Sequence, residues 1–98
     1  MPEAEQRAMG NAIMKLRAAG EQLGFPHSSA VKDSAGLREL RPRAGRSPWR
    51  GFYKRVGDLI LIGAFGPEAK VDPSGFRAAV AASEERIASF VKEAPANG

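Results

Sequence analysis

Cysteine is absent from the chain, which excludes disulfides and thiolate metal sites and suits a reducing cytoplasm. Histidine occurs once, and His27 alone lacks the paired ligands of a zinc or iron centre, so neither metal nor cofactor is expected. A serine triad is equally unsupported. His27, between Pro26 and Ser28, reads as a solvated or loop-capping residue, with acid–base chemistry the less favoured alternative. Long apolar runs are missing too. The longest, Leu59 to Phe65, falls far short of the roughly 20 residues that cross a bilayer. The start, Met1-Pro-Glu-Ala-Glu-Gln-Arg7, is acidic where an export signal is basic and then apolar. Gly57, Gly63 and Gly66 have neither phosphate-loop nor dinucleotide spacing and read as turn and strand-end residues. These absences point to a soluble cytoplasmic protein with no membrane partner.

The 98 residues are 43% apolar with charges mixed along the chain, which is too hydrophobic for disorder and of a length for one domain, residues 1–98. The net charge of +4 is unevenly spread. Residues 36–55 hold Arg38, Arg41, Arg43, Arg46, Arg50, Lys54 and Arg55 against Glu39 alone, a balance of +6 that leaves −2 elsewhere. A basic block on a mildly acidic scaffold is the footprint of a polyanion or an acidic partner protein.

Periodicity predicts an α+β domain. Pro2 suits a first helical position, Glu3 and Glu5 suit the positive end of a helix dipole, and Met9, Ile13, Leu16 and Leu23 recur at helical spacing, giving a helix over about 3–22. Arg7, Lys15 and Arg17 point away from that stripe. Residues 25–36 read as a loop with short turns. Three strands are expected at about 36–42, 48–55 and 58–65, joined by hairpin-length connections. In the second, Trp49 and Tyr53 share one face and Arg50, Phe52 and Lys54 the other. The third is apolar on both faces, yet a three-strand meander leaves it at the rim, so a further strand from a partner chain or an upstream segment is expected to cover its edge. Asp72-Pro73-Ser74 opens a second helix, about 73–92, with Phe76, Val80, Ile87, Phe90 and Val91 as its stripe. Residues 94–98 read as a frayed tail.

The basic block is expected to fold into one patch, with Trp49, Phe52 and Tyr53 interleaved among its cations. RNA-binding surfaces combine guanidinium charge for phosphates with aromatic faces for unstacked bases. A solvated sheet face is the alternative. Trp49 and Tyr53 are assigned to packing and Phe52 is left open between packing and base contact.

Several spaced motifs carry a resemblance over nearly the whole chain. Gly36-Leu-Arg-Glu-Leu-Arg41, Trp49-Arg50 with Phe52-Tyr53, Leu59-Ile-Leu-Ile-Gly-Ala-Phe65 and Pro73 before a helix resemble the phage-derived HigB-type branch of the RelE/ParE toxins. The run ending Leu23-Gly24-Phe-Pro26 is also similar to that family's pattern. The resemblance implies a RelE-like fold and a cytoplasmic toxin of a type II toxin–antitoxin system. Such a toxin is neutralised by a cognate antitoxin of helix-turn-helix type and cuts mRNA on the ribosome without a metal. In that chemistry the 2′-hydroxyl attacks the adjacent phosphate while basic side chains stabilise the developing charge. Arg50 matches the family's strand arginine and Arg41 the arginine of the Glu39-Leu40-Arg41 motif, so both are catalytic candidates. Arg38, Arg43, Arg46, Phe52, Lys54, Arg55 and Lys70 are RNA-contact candidates.

Three departures stand against the pattern. The family's basic turn is Gly66-Pro-Glu-Ala-Lys-Val-Asp-Pro73 here, with Lys70 its one cation. Gly63 replaces a histidine. No strand precedes the first helix, so either the start is truncated or the sheet is completed otherwise. The alternative is therefore a non-catalytic protein of the same fold, ParE-like or retained to bind its antitoxin.

Overall fold

Ala8, Met9, Ala12 and Leu16 bury one stripe of helix α1, Glu3–Ala19, in the computed structural model of this chain, which describes residues 1–93. The expected frayed tail, 94–98, lies outside the described residues. Gly20 turns to a φ of 56° and donates its N–H to Leu16, ending α1 short of residue 22. One 3₁₀ turn, Gly20–Gln22, follows.

The sheet holds four antiparallel strands in the order β1-β2-β3-β4: β1 Ser28–Ala30, β2 Arg38–Leu40, β3 Trp49–Val56 and β4 Leu59–Pro67. The three-strand expectation is thus corrected. Residues 28–30 pair with 38–40 inside the segment read as a loop, because a strand this short and polar has no two-residue period to show. It joins the far side of β2 and leaves the outer edge of β4 open. Helix α2, Pro73–Glu93, completes the α+β fold, which is compatible with a RelE-like one.

Register assigns the two faces. Ser28, Leu40, Gly51 and Phe65 are aligned across the strands, as are Ser29, Glu39, Phe52 and Ala64. Helix α1 covers the first row, where Met9, Ala12, Leu16, Leu40 and Tyr53 form the core with Trp49, Ile60 and Ile62 against them. Trp49 and Tyr53 are packing residues. Tyr53 also shares a hydrogen bond with the buried Ser28 hydroxyl, which answers the polar group of each.

Helix α2 covers the other face of β4 and β3. Phe76 meets the Phe52 ring edge-on at a centroid distance of 5.2 Å, and Ile87 is buried. Phe90 and Val91, expected in the buried stripe, stay about half exposed. The close seat of α2 depends on Gly63 and Gly66. A Cβ on Gly63 would lie 2.6 Å from Ser83 Cα, and one on Gly66 2.5 Å from Ala79 Cβ. Gly63 also sits at a bulge in the β3–β4 register, between the partners of Phe52 and Tyr53.

Candidate functional site

On the sheet face opposite α1, helix α2 packs on β4 and β3 rather than on β1 and β2, and four charged side chains make a network beside it. Glu39 Oε1 accepts from Arg41 Nη1 at 2.9 Å and from Ser29 Oγ at 3.0 Å. It also lies 3.9 Å from Arg50 Nε. Arg50 Nη2 donates to Glu68 Oε2 at 2.6 Å and to Gly45 O at 3.4 Å, and its Nη1 donates to the Ser47 and Trp49 carbonyls at 2.6 and 3.0 Å.

The local sequence places these groups. Glu39 and Arg41 are two residues apart, so they leave the extended backbone on one side. Arg50, the second residue of β3, lies on that same side. Glu68 follows the end of β4, and its N–H donates to Pro48 O, which ties the turn carrying the carboxylate to the residue before β3.

The Arg50 side chain is 3% exposed. Burial, and next the nearby charge of Arg41, lower its pKa from the ordinary value, while Glu68 and Glu39 oppose that shift. A guanidinium nonetheless stays charged throughout physiological pH. Arg50 therefore cannot serve as a proton acceptor, and its two terminal nitrogens are spent on internal oxygens. To make a bidentate grip on a phosphate it would have to release Glu68. The neutraliser sits in the very turn that is basic in the resembled pattern.

Arg41 is more accessible, at 19% of its side chain. Its Nε donates to Pro26 O at 3.0 Å, and its guanidinium carbon stands 5.2 Å from the Phe25 ring centroid. Phe25 is 76% exposed. A cation beside a solvent-facing ring is the combination that holds a phosphate and an unstacked base. Phe25 escaped the sequence reading because it lies outside the basic block; a lone aromatic between Gly24 and Pro26, in a segment with no apolar period, was the available signal.

The expected single patch is not formed. Arg41 and Arg43 lie toward one end of the sheet, whereas Arg38, Lys54 and Arg55 line a recess with Leu16, Tyr53 and Ile60. Arg38 Nε donates to Ser28 Oγ and Arg55 pairs with Glu21 at 2.7 Å. Arg43 pairs with Glu5 at 2.9 Å, and exposed Arg46 turns its Nε to Arg43 O. Lys70 is exposed on the turn before α2. Phe52 is fully buried, so base stacking on it is corrected to packing against Phe76. Antiparallel pairing and the reversal at residues 42–45 separate cations that are adjacent in sequence.

Among the described residues no group of histidine or carboxylate side chains could hold a metal, and no helix is long and apolar enough to cross a membrane. Residues 1–63 match the family described as phage derived protein Gp49-like. The match ends at Gly63, ahead of the turn that carries Glu68 and Lys70. No curated protein and no solved structure matches the chain.

Proposed function

Because this chain belongs to the Gp49-like family of phage-derived proteins, a family associated with RelE-like toxins, we propose that it is the toxin of a type II toxin–antitoxin pair. Its target is messenger RNA on the ribosome, where without a metal the 2′-hydroxyl loses its proton and attacks the adjacent phosphorus, the P–O5′ bond breaks and the leaving O5′ takes up a proton, giving a 2′,3′-cyclic phosphate and a 5′-hydroxyl; a cognate antitoxin of helix-turn-helix type restrains the protein in the cytoplasm. The observation that carries this reading is the pairing of Arg41 with the exposed Phe25 ring at 5.2 Å, next to the Arg41–Glu39–Arg50–Glu68 network. Arg41 meets the scissile phosphate and Phe25 stacks a neighbouring base. Arg50 lies behind Glu39, where it supports the network and reaches phosphate only once Glu68 lets go. Arg43 and Arg46 extend the phosphate contacts at this end of the sheet, and Arg38, Lys54, Arg55 and Lys70 contact RNA farther out.

A second reading, toxicity or antitoxin binding by contact alone, is favoured by the ion pair at 2.6 Å between Arg50 and Glu68, which occupies the side chain that matches the family's strand arginine. The two are separated by inducing the protein in a bacterial host, with and without the adjacent gene, and mapping mRNA ends. New ends that the neighbour suppresses support cleavage. Growth arrest without new ends supports contact, and no arrest in the absence of the neighbour contradicts a toxin.

A further inference from the structure

The α1 side of the protein carries a second basic feature, a cleft that adjoins Arg41 but draws most of its lining from α1. Ala4, Arg7, Ala8, Asn11, Ala12 and Lys15 recur at spacings of three and four, so they share one face of α1. The alanines are small and leave a floor. Arg7, Asn11 and Lys15 stand beside it as a polar rim. Leu23 and Leu40 close the floor, and His27, Arg41 and Arg43 complete the wall of a cleft of about 360 Å³.

Its electrostatics are one-sided. Arg7 and Lys15 enter no ion pair among the described residues, and the nearby carboxylate of Glu5 is taken up by Arg43 and by Ser47 Oγ, which donates to it at 2.6 Å. The wall that presents Arg43 is also strained. Arg43 and Ala44 hold φ of 55° and 56°, and Gly45 follows at 91°. Two consecutive non-glycine residues in the left-handed region are strained, and such strain gathers at ligand sites.

We propose that this cleft binds one nucleotide of single-stranded RNA, its base or sugar on Ala4, Ala8, Ala12 and Leu23 and its flanking phosphates on Arg7 and Lys15. The volume suits a ligand of nucleotide size. Arg7 and Lys15 are separated by about 12 Å along the helix axis, from the 1.5 Å rise per residue, which is wider than the gap between successive phosphates, so their long flexible side chains lean toward each other over Asn11 to hold the phosphates flanking one nucleotide. The inference rests on the RNA reading above and adds to it a contact that carries the strand from Arg41 onto the face of α1.

The test is fluorescence anisotropy with a short single-stranded RNA, 2′-O-methylated throughout so that 2′-hydroxyl attack is blocked, titrated across a salt series. Arg7→Ala with Lys15→Ala is expected to lower the slope of log affinity against log salt by roughly 1.4, at about 0.7 per phosphate on a single strand. That amounts to roughly 25-fold weaker binding at about 0.1 M salt, taken over the decade below 1 M. Ala4→Leu, at an exposed position of the cleft, fills space without removing charge and is expected to weaken binding too. Circular dichroism checks that all variants stay folded. Wild-type affinity and slope in both variants would overturn the cleft while leaving the RNA reading in place, and absence of binding by the wild type would overturn both. Loss confined to binding of the adjacent gene's product would overturn it in favour of a protein interface.

Discussion

Arg50 and Glu68 meet at 2.6 Å across the ends of β3 and β4, and this contact decides how the strand arginine is used. Its side chain is almost wholly removed from water, whereas that of Glu68 keeps 23% of its exposure. Removing the carboxylate strands a buried cation. Glu68→Ala is expected to lower the urea-derived unfolding free energy by roughly 3 kcal/mol, near the lower end for breaking a buried pair because Glu68 is partly solvated. A loss below about 1 kcal/mol would equate the pair with an exposed one.

Arg50 itself separates structure from chemistry. Arg50→Lys keeps the charge but cannot reach the Ser47 and Trp49 carbonyls and Glu68 together, so it is expected to lower stability and activity in parallel. Arg41→Ala, at a more accessible position, is expected to leave the fold intact by circular dichroism. It should lower cleavage by about 10²- to 10³-fold, the usual cost of one transition-state contact. Full cleavage by folded Arg41→Ala would remove Arg41 from the mechanism.

Acid sensitivity should trace in part to Glu5, whose pKa is lowered from its usual 4.5 first by the Ser47 hydroxyl and then by Arg43. A carboxylate with a depressed folded pKa stabilises the fold fully above its unfolded value, and that stabilisation is lost as pH falls through the folded one. Ser47→Ala should therefore flatten the fall in urea midpoint as pH is taken from neutral to below 4.5. An unchanged profile would show that the Ser47–Glu5 hydrogen bond contributes nothing to it.

Gly63→Ala and Gly66→Ala are each expected to destabilise by about 2–3 kcal/mol, the upper range for overpacking, since the new methyl group meets helix α2 rather than a movable side-chain end. Thermal unfolding checks this. An unchanged midpoint in either variant would mean that α2 shifts without cost.

The helices and the two long strands were legible because their signals are local: Met9, Ile13 and Leu16 repeat at helical spacing, and Leu59 to Phe65 is continuously apolar. Strand β1 was not legible, because Ser28–Ala30 draws its order from pairing with β2 and from the Ser28–Tyr53 hydrogen bond. The site was half legible. Arg41 and Arg50 could be marked from the block, but their unequal exposure depends on Glu68, which arrives from a turn distant in sequence. Gly63 and Gly66 carry no pattern that announces a helix resting on them. The alanine floor and cationic rim on α1 did have a signal, since Arg7, Asn11 and Lys15 repeat every four residues, but that spacing shows only that Arg7 and Lys15 point away from the apolar stripe, and nothing local reveals the opposing wall.

The open edge of β4 is expected to be covered by a strand from a partner chain, because unpaired strand edges with apolar faces invite pairing. Co-expression with the adjacent gene's product should slow hydrogen exchange at the β4 amides that face away from β3. Unaltered exchange there in a stable complex would place the partner elsewhere.

Mapping of mRNA 5′ ends after induction is the most direct measurement of the proposed activity. Discrete new ends on translated messages are expected from the wild type, lost with the folded Arg41→Ala variant and suppressed by the adjacent gene. Growth arrest with unaltered mRNA ends would contradict a nuclease and leave a toxin that acts by contact.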